Sequence, residues 1–194
     1  MVTIFNHTQR FESEIYIGDY TEYAKTHPSS LEKGVKMANM PLDDIEMLSV
    51  HNPIHIPVMG VNFELNNNVF KQDGFCSNCE CMLVSDKANK KGWLALVELK
   101  YCGGSANAVS RNMGKALSQL ESTFLHLRDV KKIFKQDDFR FVWVISLPEH
   151  DDLIPFSSFY YYPEQLLEYK EKYGVGIFTD NHLTILSHEY IVAL

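Results

Sequence analysis

No stretch of this chain approaches the ~20 consecutive apolar residues that a helical membrane span requires. Its hydrophobic content of 45% is ordinary for a globular protein, and no membrane partner is expected. The first ten residues, Met1 to Arg10, have no basic start followed by an apolar core, so no secretion signal is read and a cytoplasmic location is expected. Internal repeats and low-complexity segments are absent, and 194 residues fit one domain with a full core. Cysteine is scarce. Cys76-x-x-Cys79-x-Cys81 and Cys102 are the four present, with no second Cys-x-x-Cys. That spacing argues against a closed zinc or iron–sulfur site and for reduced, buried thiols. An overall basic excess is lacking too. The net charge is -7, which taken alone speaks against nucleic acid. The distribution is uneven, however. Lys87 to Lys135 carries ten Lys/Arg and three acids, a net of +7 against -14 for the remainder.

What is present concentrates in two short runs. Cys79-Glu80-Cys81-Met82-Leu83-Val84 and Leu94-Ala95-Leu96-Val97-Glu98-Leu99-Lys100 each place a carboxylate among apolar residues. Such charges are costly in a Leu/Val strand unless something pairs with them. The polar connector Asp86 to Gly92 suits two antiparallel strands. If Asp86 pairs with Gly92, Glu80 falls across from Glu98, and alternation puts Lys100 on the same face. Opposed carboxylates repel, and a hard divalent cation resolves that repulsion. A one-residue slip would dismantle the arrangement. The alternative is an exposed two-stranded edge with solvated charges or a structural Glu–Lys pair.

Carboxylate, hairpin, Glu-x-Lys and a following helix with Ala116-Leu117-Ser118-Gln119-Leu120 resemble the PD-(D/E)XK nuclease superfamily, the restriction-endonuclease-like fold. The likeness runs from Cys79 to Leu120, roughly a fifth of the chain. It implies an α+β fold with an α/β-like core, in which helices flank a central mixed sheet. One nuclease-like domain would span residues 1–194, with its core at about 60–150, N-terminal helices in 1–50, and a C-terminal helix and hairpin in 163–190. The implied activity is metal-dependent hydrolysis of phosphodiester bonds, in DNA rather than RNA. The implied catalytic residues are Glu80, Glu98, Lys100 and Gln119. Mg²⁺ or Mn²⁺ would be held by Glu80, Glu98 and the Leu99 carbonyl. Lys87, Lys90, Lys91, Arg111 and Lys115 would meet nucleic acid. A homodimer or a protein partner is compatible with the family. Glu80 stands where aspartate is usual, Cys79 where proline is usual, and Thr123 where some members have tyrosine. Those departures motivate the alternative of a catalytically degenerate module that binds nucleic acid or a protein. An upstream acid is common in the family, and Glu32, Glu46 and Glu64 are the candidates.

Elsewhere, Glu14 to Ile17 reads as a strand, and Ser29-x-x-Glu32 as a capping box opening a helix to about Ala38. A second short helix is expected over 42–48. His51 to Pro57 should be extended because of its prolines, so His51 and His55 are loop histidines rather than a helical ligand pair. Val61 to Leu65 reads as a strand and Asn66 to Asn68 as a turn. Apolar positions 109, 113, 116, 117, 120, 124 and 127 give a helical stripe over 106–129. Phe139 to Ser146 is almost wholly apolar, hence a central strand, and parallel to the first if 94–146 is a crossover unit. Pro163 to Tyr173 reads as a helix, and 175–186 as a hairpin about Asp180-Asn181. The aromatic cluster Phe156, Phe159 and Tyr160 to Tyr162 is a core, interface or base-stacking feature.

Overall fold

The computed structural model describes residues 4–28, 32–75, 77–86, 91–102, 105–135, 137–150 and 163–193. Strands β1 (Thr8–Phe11), β5 (Val58–Asn62), β6 (Cys81–Ser85), β7 (Gly92–Leu99), β8 (Phe139–Ser146) and β9 (Val175–Thr179) form one sheet in the order β1-β5-β6-β7-β8-β9. Its pairings are antiparallel from β1 to β7 and parallel from β7 to β9. A second sheet runs β11-β10-β4-β2-β3, from Tyr190–Ala193, His182–Ser187, Leu48–His51, Ile15–Asp19 and Val35–Ala38. The class is α+β with two mixed sheets.

Side-chain alternation along β7 explains the layering. Leu94 and Leu96 join Trp143, Ile145 and the apolar stripe of α3 (Ala106–Leu125) on one face. Trp93, Ala95, Val97 and Leu99 join Ile15, Ile17, Leu48, Val50 and Leu183 of the second sheet on the other. The larger sheet is thus the middle layer, covered on both faces, and β7 is buried at every position. A strand covered twice must be apolar throughout, and each large side chain removed from water contributes about 1.5–3 kcal/mol. This is why β7 and β8 read as continuous apolar runs and why the charges in β7 end up inside. The solvated-edge alternative fails, since β6 and β7 each have a strand on both sides.

Helix α3 follows the expected stripe. Ser105 caps it by accepting the Ala108 N–H at 3.3 Å, and its last turn loosens into a π-helical turn, His126–Val130. It links β7 to the parallel β8 as the expected crossover. The C-terminal helix α4 (Pro163–Tyr173) also lies where the sequence puts it.

The N-terminal third departs from expectation. Residues 35–38 are a strand paired with Asp19 to Tyr16, not the end of a helix. Gly34 has φ 86°, a left-handed conformation no helix interior contains, and Glu32 pairs with Lys36 instead of capping. Ser29 and Ser30 lie outside the described residues. No helix occupies 42–48. Asp44 turns the chain at φ 55°, Ile45 is buried, and Leu48 opens β4. The helix actually formed is α1 (Tyr20–Thr26). In place of a pure turn at Asn66 to Asn68, a single helical turn α2 (Asn68–Lys71) begins. The expected C-terminal hairpin is also absent. β9 pairs with β8 in the larger sheet, whereas β10 pairs with β4 and β11 in the smaller one. Asp180 and Asn181 pass the chain between sheets. Asn181 locks the crossing, accepting from Ser146 Oγ and Leu147 N–H and donating to the Leu147 carbonyl at 2.8–2.9 Å.

Candidate active site

The β6–β7 register is the one the connector implied, with Cys81 opposite Val97 and Val84 opposite Leu94. At Glu80 the ladder changes. The Glu80 N–H donates to the Val97 carbonyl at 3.1 Å, so Glu80 and Cys81 both address Val97. This bulge-like step carries the Glu80 carboxylate up the neighbouring strand, where Oε2 accepts the Leu99 N–H at 3.3 Å. Its carboxyl group comes within electrostatic range of that of Glu98. Lys100 Nζ forms an ion pair with Glu98 Oε1. The Lys100 N–H continues the parallel ladder by donating to the Ser146 carbonyl at 2.9 Å. Glu80, Glu98 and Lys100 therefore meet where the parallel strands β7 and β8 end.

Burial sets the electrostatics. Glu98 has no exposed surface, and Glu80 and Lys100 keep 8% and 6%. Burial first, and then the neighbouring Glu98, push the Glu80 carboxyl well above the usual range. Glu98 is also raised by burial, against the lowering influence of the adjoining Glu80 carboxyl and the Lys100 charge. Lys100 is driven the other way by burial, but Glu98 and Glu80 outweigh that and hold its ammonium charged. Burial and the adjoining Glu98 favour the protonated form of Glu80, whereas the Lys100 ammonium favours the ionised form of Glu98.

Asp19 and Glu22, neither of them among the expected upstream acids, come near this trio. Asp19 is buried and caps α1, accepting from Thr21 N–H at 2.8 Å and Glu22 N–H at 3.2 Å. Burial raises its carboxyl. It lies within electrostatic range of Glu80, as Glu22 does of Glu98 and Lys100. Tyr101 fastens α1 to the end of β7, accepting from Asp19 N–H at 3.4 Å and donating to the Glu46 carbonyl at 2.7 Å. The sequence signal was Asp19-Tyr20-Thr21-Glu22, an acidic cap with glutamate three residues on, directly after a strand. Glu32 and Glu64 are spent elsewhere, on Lys36 and on the Val35 N–H.

The remaining expected residues divide. Gln119 is half-buried, and its Nε2 donates to the Asn78 carbonyl at 3.3 Å. It thereby steadies the segment leading into Glu80, as does Thr123, whose Oγ1 accepts the Cys79 N–H at 2.9 Å. Leu99 offers its N–H to Glu80. Arg111 and Lys115 are exposed on α3. Lys91 is exposed before the opposite end of β7, roughly 20 Å of strand from Glu98. It is not brought to the site. Lys87 and Lys90 lie outside the described residues, as do Cys76 and the aromatic cluster 156–162. Cys79, Cys81 and Cys102 are free and buried. His51 pairs with Glu14 at 2.6 Å, and His55 with the Glu12 carbonyl at 2.9 Å.

Among the described residues no group of three or more His, Cys, Asp or Glu side chains stands in metal-holding geometry. The donors that do converge, two carboxylates, are hard oxygens of the kind Mg²⁺ or Mn²⁺ takes, with water completing the coordination. They fit such an ion if both carboxyls are ionised and Lys100 releases Glu98. Among the described residues, too, no helix is long and apolar enough to cross a membrane. Compared with known proteins, the chain matches no family model, no curated protein and no solved structure.

Proposed function

We propose that this protein is a metal-dependent nuclease of PD-(D/E)XK type that hydrolyses phosphodiester bonds, in DNA rather than RNA. The observation that carries the reading is the meeting of the Glu80 and Glu98 carboxyls beside Lys100, in the interior of the sheet. An antiparallel β6–β7 pair bearing the acids, a crossover helix and a parallel β8 support the restriction-endonuclease-like reading of the fold. A divalent cation bound by Glu80 and Glu98 would acidify a bound water and offset charge on the scissile phosphate. Lys100 then has two duties. It holds the ionised Glu98 in place in the resting protein, and once released it supplies a fixed positive charge to the phosphoryl oxygens. Asp19 and Glu22, within electrostatic range of these groups, favour a cation over an anion there. Gln119 and Thr123 hold the Glu80 segment in register.

One observation favours a second reading, a degenerate nuclease-fold module that binds nucleic acid or a protein without cleaving. Glu98 is fully buried and already neutralised by Lys100, so the resting site needs no cation. Calorimetric titration of Mn²⁺ into wild type, Glu98→Ala and Lys100→Ala, with plasmid and single-stranded DNA cleavage alongside, separates the two. Metal binding lost in Glu98→Ala, with cleavage lost in both variants, is the expected result. A wild type that binds no Mn²⁺ would sink the nuclease reading and leave the binding module.

A further inference from the structure

We infer that the groove between the free edge of β3 and strand β1 is the docking site for an extended peptide segment of a protein partner, which adds to β3 as a further strand. The inference does not depend on the carboxylate site.

β3 ends the smaller sheet and pairs on one side only, with β2. Just before it, the Tyr20 N–H donates to the Gly34 carbonyl at 3.1 Å. Bonded and non-bonded positions alternate along an antiparallel ladder. Gly34, Lys36 and Ala38 therefore address β2, while Val35 and Met37 turn their N–H and C=O outward. At Val35 both groups are met by side chains from the end of β5 and the turn after it. Glu64 Oε2 accepts the Val35 N–H at 2.8 Å, and Asn62 Nδ2 donates to the Val35 carbonyl at 2.7 Å. One acceptor and one donor on that edge are what a neighbouring strand supplies. Met37, one strand period further on, has no such pair among the described residues. Exposed edges are ordinarily blunted by proline, a bulge or an unpaired charge. β3 carries no proline, and its one charge, Lys36, is paired with Glu32.

The open edge borders a groove of about 460 Å³ lined by Thr8 and Gln9 of β1, Met37 and Ala38 of β3, and Leu42 and Leu65. Leu65 is 59% exposed, so apolar surface lies beside the unpaired backbone. An extended chain meets both features at once, with main-chain groups along the edge and alternate side chains on the apolar surface. On the β1 wall, Asn66 accepts the His7 N–H at 3.1 Å and donates to the His7 carbonyl at 2.8 Å, so that backbone is already satisfied. The pairing falls to β3. A second copy of this chain cannot offer its own β3, because that strand is recessed between the same walls.

The test is selection of phage-displayed random peptides of about ten residues on the wild-type protein in EDTA, followed by fluorescence anisotropy of the enriched peptides. Enriched peptides are expected to carry apolar side chains at alternate positions. N-methylation of alternate peptide amides should weaken binding about tenfold, the worth of a lost hydrogen bond. Met37→Pro removes the outward N–H but leaves the ladder to β2, and should weaken binding to the same extent. Leu65→Asp should weaken binding severalfold at an unchanged melting temperature, because Leu65 is exposed. Selection that enriches no peptide, or peptides that bind Leu65→Asp and bind in N-methylated form as well as they bind wild type, would overturn the docking site. Wild-type dimers in light scattering that Leu65→Asp dissociates would assign the groove to a second copy and overturn the peptide. Peptide binding is expected whether or not Mn²⁺ titrates to Glu98.

Discussion

Replacing Lys100 by methionine removes the cation paired with Glu98, a carboxylate that has no solvent exposure. Methionine fills most of the lysine volume, so the loss is chiefly electrostatic. Breaking a buried pair by deleting one partner costs about 3–5 kcal/mol. In a chain of this size that lowers the melting temperature by roughly 6–20 °C. Glu98 can relieve the cost by taking up a proton. Burial already raises its folded pKa above the ordinary 4.5, and losing Lys100 raises it further. The folded variant then binds more protons than the unfolded chain between 4.5 and the raised value, so its stability increases as pH falls through that window. Urea unfolding at pH 8 and pH 5 checks this. Lys100→Met should lose most at pH 8 and regain part of the loss at pH 5. The double variant Glu98→Gln/Lys100→Met, which removes both charges, should recover at least half of the pH 8 loss. A single variant that loses under about 1 kcal/mol at pH 8, or loses equally at both pH values, refutes the buried-pair account.

Glu80→Gln replaces a buried carboxyl, whose charged form burial and Glu98 disfavour, with a neutral isostere. Because the raised Glu80 pKa makes the folded state less stable as pH climbs from 4.5, this variant should gain stability at pH 8 and match wild type near pH 4, by thermal melts at each pH. His126, stacked 4.4 Å from Phe75 and 3.2 Å from Asp73, has its pKa lowered by burial despite Asp73. Its contribution is present above pH 6.5 and lost as pH falls through the lowered value. His126→Phe should flatten that part of the stability curve, and an unchanged slope between pH 7 and 5 would count against it. At Gly60 a Cβ would lie 2.8 Å from the Phe11 ring and 3.2 Å from Met37 Sδ, where the two sheets approach. Gly60→Ala is expected to cost about 1–3 kcal/mol in urea unfolding. Asn181→Leu strands three buried partners at the crossing between sheets and should cost roughly 2–4 kcal/mol, read the same way.

Signals that lie within one segment were legible in the sequence. The α3 stripe, the apolar run of β8, the parallel step from β7 to β8 and the α4 boundaries rest on periodicity and short-range geometry. The polar connector also fixed the β6–β7 register as far as Cys81. Where two local signals conflicted with a distant partner, the partner won. Residues 35–38 have a capping-box lead but pair with β2 and follow a left-handed Gly34. Residues 175–186 have hairpin spacing, yet their two halves join different sheets because Asn181 binds the end of β8.

For the candidate site, the sequence by itself determined that two glutamates and a lysine sit in adjacent apolar strands, and from which end of them they project. Alternation along a strand is a covalent property of the backbone, so it needs no fold to operate. That these groups are buried was a matter of tertiary packing, because burial depends on α3 and the second sheet covering the two faces of the larger sheet. Packing also decided that Lys100 pairs with Glu98, and that Asp19 and Glu22 arrive from a helix some sixty residues upstream. Proximity between segments so far apart is set by the packing of layers, a quantity that no local pattern encodes.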